Sequence, residues 1–307
     1  MIGIQEIASY VPDTYVDNLV RAKKLNSDED FVSNKLGILK LPNIGDKETS
    51  DLAVLAVNKL LNKSNIDPKI IDCLVVCTQN PDGDGIPHCS ALVQSKVGMR
   101  SNSACFDISL GCSGYVYGLK IIKGFMEVSG MKNGILVTAD PYSKIIDPDD
   151  RDTALLFGDA STATLLSSKY KWNIGKSLFN TDGYGADNLK SIDGVLHMNG
   201  RQVFNFAMIE VPKQIDALLE IELIKVDDID SYVFHQGSRY IVEMLRKKLK
   251  LPPQKVPIEL EEYGNTVSSS IPLILEKIIN NNKMNIVLLS GFGVGLSWSS
   301  LILKRNN

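Results

Sequence analysis

Three residues whose side chains can do chemistry stand near predicted boundaries between secondary-structure elements. The first is Cys112 in LGCSGYVYGL, which follows the alternating run ACFDIS (104–109) and precedes apolar residues at helical spacing. A helix N-terminus favours a thiolate through its partial positive charge, and Gly111 and Gly114 leave space for a ligand. Cys112 is therefore either a nucleophile or an inert core thiol, because free cysteine is among the most buried residue types.

The other two candidates lie in the second half of the chain. His235 follows the strand-like SYVF and precedes a predicted helix, so it lies at a strand end, where sites of α/β proteins gather. Asn265 lies in YGNTVSSS, and by itself it can be interpreted as a turn residue or a helix cap. The later stretch SGFGVGLSW (290–298) could direct backbone amides at an anion, although it matches neither common nucleotide-binding glycine motif.

The composition excludes several classes of function. The 307 residues carry a net charge of −3, so the charge gives no reason to expect nucleic acid or an anionic membrane as a partner. The chain starts without the pattern of a secretory signal, and no apolar run is long enough to span a bilayer. Five scattered cysteines do not resemble a disulfide framework and suit a reducing compartment. We therefore expect a soluble, cytoplasmic protein.

No metal site is predicted. Cys73 and Cys77 are four residues apart, but no His/Cys pair at zinc spacing accompanies them. The acidic stretch DPDDRD (147–152) lacks the spacing and the following glutamate of a calcium loop.

The surrounding elements predict an α/β protein, because short β-branched apolar runs alternate with longer amphipathic segments. The predicted strands are 73–79, 134–140, 153–159, 162–168, 231–236 and the final pair NIVLLSG and LSWSSLIL. The predicted helices are 51–63, 112–126, about 203–219, 240–250 and 271–282. Both halves show this alternation, which indicates a duplication with a boundary near residues 166–175.

Taken in order, these motifs resemble the β-ketoacyl-acyl-carrier-protein synthase III family of the thiolase superfamily. The resemblance covers nearly the whole chain and rests on LGCSGYVYGL, FGDAST (157–162), MNGRQVFNFA (198–207), VFHQ, YGNTVSSS and GFGVGLSW. It implies two similar βαβαβαββ halves that form a five-layered αβαβα structure, and a homodimer. Residues 1–168 would carry the nucleophile Cys112, and residues 169–307 would carry His235 and Asn265.

The resemblance also implies a two-step reaction that needs no cofactor. Cys112 would take an acyl group from a coenzyme A thioester, and a malonyl thioester on acyl carrier protein would then lose CO₂ and attack it, in fatty-acid or related biosynthesis. His235 and Asn265 suit the charged thioester oxygen because both donate hydrogen bonds while neutral. Gly293 and Val294 belong to the expected oxyanion loop, although the family has glycine at position 294. Transfer of the acyl group to a hydroxyl or amine acceptor in a specialised pathway is the alternative.

Several residues match positions that contact coenzyme A in the family. Arg151 and Phe204 agree with the family pattern. Phe31 and Lys35 stand in place of the usual tryptophan and arginine, and Lys35 lacks the planar fork of arginine. Ser238 replaces an asparagine. We expect coenzyme A to bind, with weaker affinity than in relatives that keep the usual residues.

Two further features concern the acyl chain and the carrier protein. Ile86 stands before a proline where many relatives have a phenylalanine that closes the partner's acyl pocket, so acyl groups other than acetyl are expected. Arg239, Arg246, Lys247 and Lys248 could dock an acidic carrier protein. They could also form only a solvated helix face.

Overall fold

A computed structural model describes residues 1–306, in which strands and helices alternate along the chain. The strands are β1 (Gly3–Tyr10), β2 (Tyr15–Asp17), β3 (Lys40–Pro42), β4 (Cys73–Cys77), β5 (Ala104–Ile108), β6 (Asn133–Ala139), β7 (Ser161–Ser167), β8 (Trp172–Thr181), β9 (Leu189–Ile192), β10 (Val195–Met198), β11 (Ser231–Phe234), β12 (Ile286–Gly293) and β13 (Ser297–Arg305). The α-helices are α1 (Asn18–Lys24), α2 (Thr49–Ser64), α3 (Cys89–Lys96), α4 (Gly114–Val128), α5 (Arg151–Ala154), α6 (Gly200–Glu222), α7 (Arg239–Lys248) and α8 (Ser270–Ile278).

Nine strands form one mixed sheet in which the strand order of the first half repeats in the second. The order β1-β7-β6-β4-β5 of the first half corresponds to β8-β13-β12-β11 of the second. The halves meet where β1 pairs antiparallel with β8, with Gly3 opposite Asn173 and Ile4 opposite Trp172. Among the described residues, the second half has no strand that corresponds to β5. The repeated order gives the thiolase-like fold that the sequence predicts.

The helices complete five layers around this strand arrangement. Helices α2 and α3 cover the first half, α6 and α7 cover the second, and α4 and α8 lie between them. Helix α4 buries Tyr115, Leu119 and Ile122 along one stripe, and α8 buries Ile271 and Ile274 in the same cluster. Each such fully buried side chain contributes about 1.5–3 kcal/mol. The central helices are thus fixed by apolar contact with both halves, and the loops at their N-terminal ends are fixed with them.

One predicted strand is wrong. Within 153–159, the first residues belong to the short helix α5, and Phe157 makes only an isolated bridge to Asn265. Asp150 caps this helix by accepting the N–H of Asp152 and the hydroxyl of Thr153. A short buried apolar run cannot be assigned to strand or helix from periodicity alone, and here the cap favours the helix.

Strands β1 and β8 are additions to the predicted set, and they join the two halves. Strand β7 ends at Ser167 and β8 begins at Trp172. The division of the chain into units 1–168 and 169–307 stays a prediction. Between residues 1 and 306, no helix has both the length and the apolar character required to cross a bilayer.

Candidate active site

A cavity of about 950 Å³ brings the three predicted catalytic residues together. Cys112, His235 and Asn265 line it, and they come from three different loops: the first two each follow a strand, and the third joins helices α7 and α8. The cavity is also lined by predicted substrate-contacting residues and by one residue of the predicted oxyanion loop, namely Phe31, Lys35, Arg151, Phe204, Ser238 and Gly293.

Cys112 lies between β5 and α4 and is 5% exposed. The end of β12 runs directly against it, because a Cβ atom on Gly293 would lie 2.7 Å from the Cys112 Sγ. A side chain at position 293 would therefore displace the thiol. The glycine at this position is required because its backbone lies directly against the Cys112 side chain.

The thiol of Cys112 is protonated at neutral pH. Burial raises its pKa to about 12, and the negative charge of Asp140 acts in the same direction. The backbone amides of Val294 and of Cys112 itself lower the pKa but do not outweigh burial. Burial thus opposes the stabilisation of the thiolate that the sequence predicts from the helix start. Helix α4 begins at Gly114, beyond the cysteine, and desolvation dominates.

His235 follows β11 and is buried, with its ring edge against Phe292 at 5.6 Å between centroids. Burial lowers the pKa of His235 to about 3, so the imidazole is neutral at physiological pH. Its Nδ1 lies 2.8 Å from the Ser270 hydroxyl oxygen, which also accepts a long hydrogen bond from the Gln236 amide. In the tautomer with hydrogen on Nε2, the Ser270 hydroxyl donates to Nδ1.

Asn265 is oriented by a hydrogen bond within its own turn. Its Oδ1 accepts the N–H of Val267 at 2.9 Å, which leaves the two Nδ2 donors for a molecule in the cavity. The turn is strained, because Val267 has φ +52° in the left-handed region that β-branched residues rarely adopt. Backbone strain of this kind concentrates at functional sites. The backbone of Asn265 is held by bonds to Leu156 and Gly158.

Two stacked pairs form the outer part of the cavity. The Arg151 guanidinium lies 5.5 Å from the centroid of the Phe31 ring. The rings of Phe204 and Tyr240 stack at 5.2 Å, and Tyr240 is 47% exposed. Sequence reasoning missed Tyr240, although an aromatic residue directly after Arg239 in RYIVEMLRKKLK was a visible signal.

The remaining predicted residues do not line the cavity. Ile86 is 87% exposed in the single chain, so its role in closing a partner's pocket stays a prediction. The Val294 side chain packs towards Gly111, while its amide lies against the Cys112 thiol. This arrangement keeps a backbone donor beside the sulfur in spite of the valine.

The basic residues of α7 divide into two groups. Arg246 pairs with Glu243 at 2.8 Å and serves local structure. Arg239 packs against Gly37, whose added Cβ would lie 2.4 Å from the arginine Nε. Lys247 and Lys248 are exposed. The docking role of all four residues stays a prediction.

A cysteine, a neutral histidine and an asparagine around one cavity in a thiolase-like fold define the class of condensing enzymes that work through thioesters. The family model described as 3-oxoacyl-[acyl-carrier-protein (ACP)] synthase III matches residues 106–183, and the model of its C-terminal part matches residues 219–305. This chain belongs to the 3-oxoacyl-(acyl-carrier-protein) synthase III family, whose members are condensing enzymes.

Individual relatives agree with this assignment. The β-ketoacyl-[acyl-carrier-protein] synthase III of Streptococcus agalactiae is 34% identical, with 98% of each chain covered. The crystal structure of 3-oxoacyl-[acyl-carrier-protein] synthase III from Aquifex aeolicus has a TM-score of 0.93 at 26% identity, covering 99% of this chain and 100% of that one. The priming β-ketosynthase of the R1128 polyketide pathway has a TM-score of 0.90 at 26% identity, covering 100% and 97%.

Proposed function

We propose that this enzyme transfers an acyl group from a coenzyme A thioester to Cys112 and then condenses it with a malonyl thioester held on acyl carrier protein. The observation that carries the proposal is the pair of neutral donors, His235 and Asn265, on the cavity that Cys112 also lines. The role fits fatty-acid synthesis or a related pathway in the cytoplasm. All reacting groups come from the protein and its two substrates, so no resident cofactor is required.

The first half-reaction exchanges one thioester for another. A bond forms between the Cys112 sulfur and the acyl carbon, the bond to the coenzyme A sulfur breaks, and the thiol proton ends on the released coenzyme. Because thioester exchange is nearly isoenergetic, the acyl group is stored without another energy source. The amides of Cys112 and Val294 lie against the sulfur and are the donors available to the tetrahedral oxyanion.

The second half-reaction generates a carbanion from the malonyl group. The bond to the carboxylate breaks, CO₂ leaves, and the electron pair is delocalised onto the thioester oxygen. His235 and Asn265 donate hydrogen bonds to that oxygen, and neither has to change its charge to do so. The carbanion then attacks the acyl carbon, and the Cys112 sulfur leaves as a thiolate that takes up a proton from solvent.

The outer cavity supports recognition of a nucleotide-containing thioester. Aromatic rings at Phe31, Phe204 and Tyr240 offer stacking faces, while Lys35 and Arg151 supply positive charge for phosphates. The exposed Lys247 and Lys248 belong to α7, the helix whose Tyr240 lines the cavity, and they suit docking of an acidic carrier protein.

A homodimer is part of the proposal. Strand β5 is an edge strand that pairs only with β4, and all five of its residues remain partly exposed. An unprotected edge of this kind favours pairing with another strand. The nearby loop also exposes Ile86, which a second copy could cover.

The proposal is tested by mixing the enzyme with an acyl-coenzyme A and a malonyl carrier protein, and by measuring CO₂ release and the mass of the carrier product. We expect CO₂ and a 3-oxoacyl carrier in equal amounts. Consumption of the acyl thioester without CO₂ release, with the acyl group found on an added hydroxyl or amine acceptor, would overturn the proposed reaction in favour of simple acyl transfer.

A further inference from the structure

The two ring nitrogens of His235 face different environments. Nε2 lies on the side of Gly237, since a Cβ atom added there would be 3.7 Å from it, and both residues line the cavity. Nδ1 faces the start of α8, where it lies 2.8 Å from the Ser270 hydroxyl oxygen. Ser270 is 3% exposed and is not among the residues that line the cavity. Ser270 therefore contacts the histidine without contacting a molecule in the cavity.

The proton of the Ser270 hydroxyl has one acceptor. In the part of the chain that the structure describes, the serine oxygen makes two hydrogen-bonding contacts. One is with Nδ1 of His235, and in the other it accepts the Gln236 N–H at 3.4 Å. The serine proton is thus satisfied only when Nδ1 is unprotonated. Because burial keeps the imidazole neutral, its single hydrogen is then on Nε2, on the side of the cavity.

The alternative tautomer, with hydrogen on Nδ1, has a different partner. The Val267 carbonyl lies close enough to the ring to raise the pKa of His235, although burial outweighs this effect. The same carbonyl accepts the Ser270 N–H, so it lies beside the partner of Nδ1. With hydrogen on Nδ1, the buried serine proton would have no acceptor, and Nε2 would present a lone pair to the cavity. That lone pair would repel the charge that develops on the malonyl thioester oxygen.

We propose that Ser270 is a positioning residue that holds His235 in the tautomer with hydrogen on Nε2, and thereby makes it a donor to the malonyl thioester oxygen. The catalytic consequence rests on the proposed function, whereas the tautomer is a property of the free enzyme. Where histidine acts at a functional site, the partner of one ring nitrogen sets the state of the other.

The tautomer is measured directly by NMR of the full-length enzyme labelled with ¹⁵N-histidine. The chain has three histidines, and a spectrum of His235→Gln identifies the signals of His235. Couplings to the ring protons distinguish Nδ1 from Nε2. At neutral pH we expect an unprotonated Nδ1 and a protonated Nε2 in the unmodified enzyme. In Ser270→Ala, hydrogen on Nδ1 facing the Val267 carbonyl should become the major form, and the protonated fraction of Nε2 should fall to roughly a tenth.

The rates of the two half-reactions test the consequence for catalysis. In Ser270→Ala, CO₂ release from the malonyl thioester should fall in proportion to the protonated fraction of Nε2, by roughly tenfold. Acylation of Cys112 should change by less than about twofold, because the donors assigned to that step are backbone amides.

Ser269→Ala is the matched control from the same turn. Ser269 is fully buried, but its hydroxyl donates to the carbonyls of Thr138 and Ala160, away from His235. The variant loses a buried hydroxyl as Ser270→Ala does. It should keep the tautomer and the decarboxylation rate of the unmodified enzyme.

Hydrogen on Nδ1 in the unmodified enzyme would overturn the inference, and so would an unchanged His235 spectrum in Ser270→Ala. Equal losses of decarboxylation in Ser269→Ala and Ser270→Ala would also overturn it, because the effect would then come from general damage to the turn. Absence of CO₂ release from the unmodified enzyme would instead overturn the proposed function, and the nitrogen spectra would still decide the tautomer.

Discussion

Replacing Asn265 should separate the two half-reactions of the enzyme. The side chain is held through its Oδ1 by the Val267 amide, so its Nδ2 is a preoriented donor to the oxygen that becomes negative during decarboxylation. Asn265→Ala removes this donor without adding charge. Asn265→Asp keeps the shape and the bond to Val267 but places an acceptor where the donor was.

The expected losses follow from this geometry. Losing one preorganised donor to an oxyanion costs about 2.7–4 kcal/mol, so Asn265→Ala should slow malonyl decarboxylation by roughly 10²- to 10³-fold. Asn265→Asp should be slower still, because a carboxylate repels the developing charge. Acylation of Cys112 should change only a few-fold in either variant, since the donors assigned to that step are backbone amides.

The assay measures the two steps separately. Acylation is followed by intact mass after mixing with acyl-coenzyme A alone, and decarboxylation is followed by CO₂ release from the malonyl thioester. Thermal unfolding of each variant serves as the control, because loss of the Val267 hydrogen bond costs about 0.5–1.5 kcal/mol of stability. Equal losses in both half-reactions, in variants that remain folded, would refute the assigned role of Asn265.

The remaining predictions concern the nucleophile and the packing around the site. Cys112→Ala should abolish acyl-enzyme formation, and acylation of the variant at any single other residue would show that the nucleophile is misassigned. Because the reactive form is the thiolate and the pKa of Cys112 is raised to about 12, its alkylation by iodoacetamide should accelerate about tenfold per pH unit from pH 7 to 10. A plateau near the ordinary cysteine pKa of about 8.5 would contradict the effect of burial. Gly158→Ala should lower the free energy of unfolding by roughly 1–3 kcal/mol, since its Cβ would lie 2.2 Å from the Tyr263 carbonyl oxygen. Gly124→Ala in α4 is the control with no atom within 4 Å, and urea unfolding in which both variants match the parent would refute the packing argument.

The sequence predicted the parts of the fold that depend on local pattern. The strands β4, β6, β11 and β12 are apolar runs rich in β-branched residues, and the stripe of α4 has helical spacing. The run 153–159 is also short and apolar, but Thr153 is its only β-branched residue. It becomes a helix and a bridge because of a cap at Asp150 and a contact with Asn265 across the chain.

The sequence predicted which residues form the candidate site, but it did not predict their burial or the protonation state of the thiol. Cys112, His235 and Asn265 each stand at a boundary between elements, and their order along the chain carried the resemblance. The protonated state of Cys112 was not predictable, because it depends on burial by segments distant in sequence. His235 and Ser270 are 35 residues apart, and no local motif indicates that they share a hydrogen bond.

The most direct test of the account follows one labelled acyl group through both half-reactions. Enzyme carrying a ¹³C-acetyl group on Cys112 is isolated, freed of coenzyme A, and mixed with a malonyl carrier protein. The account predicts that the label leaves Cys112 only when the malonyl carrier is added, and that it appears in a 3-oxoacyl carrier with an equal amount of CO₂. A label that stays on Cys112 while CO₂ is released, or that leaves the enzyme without CO₂, would contradict the account.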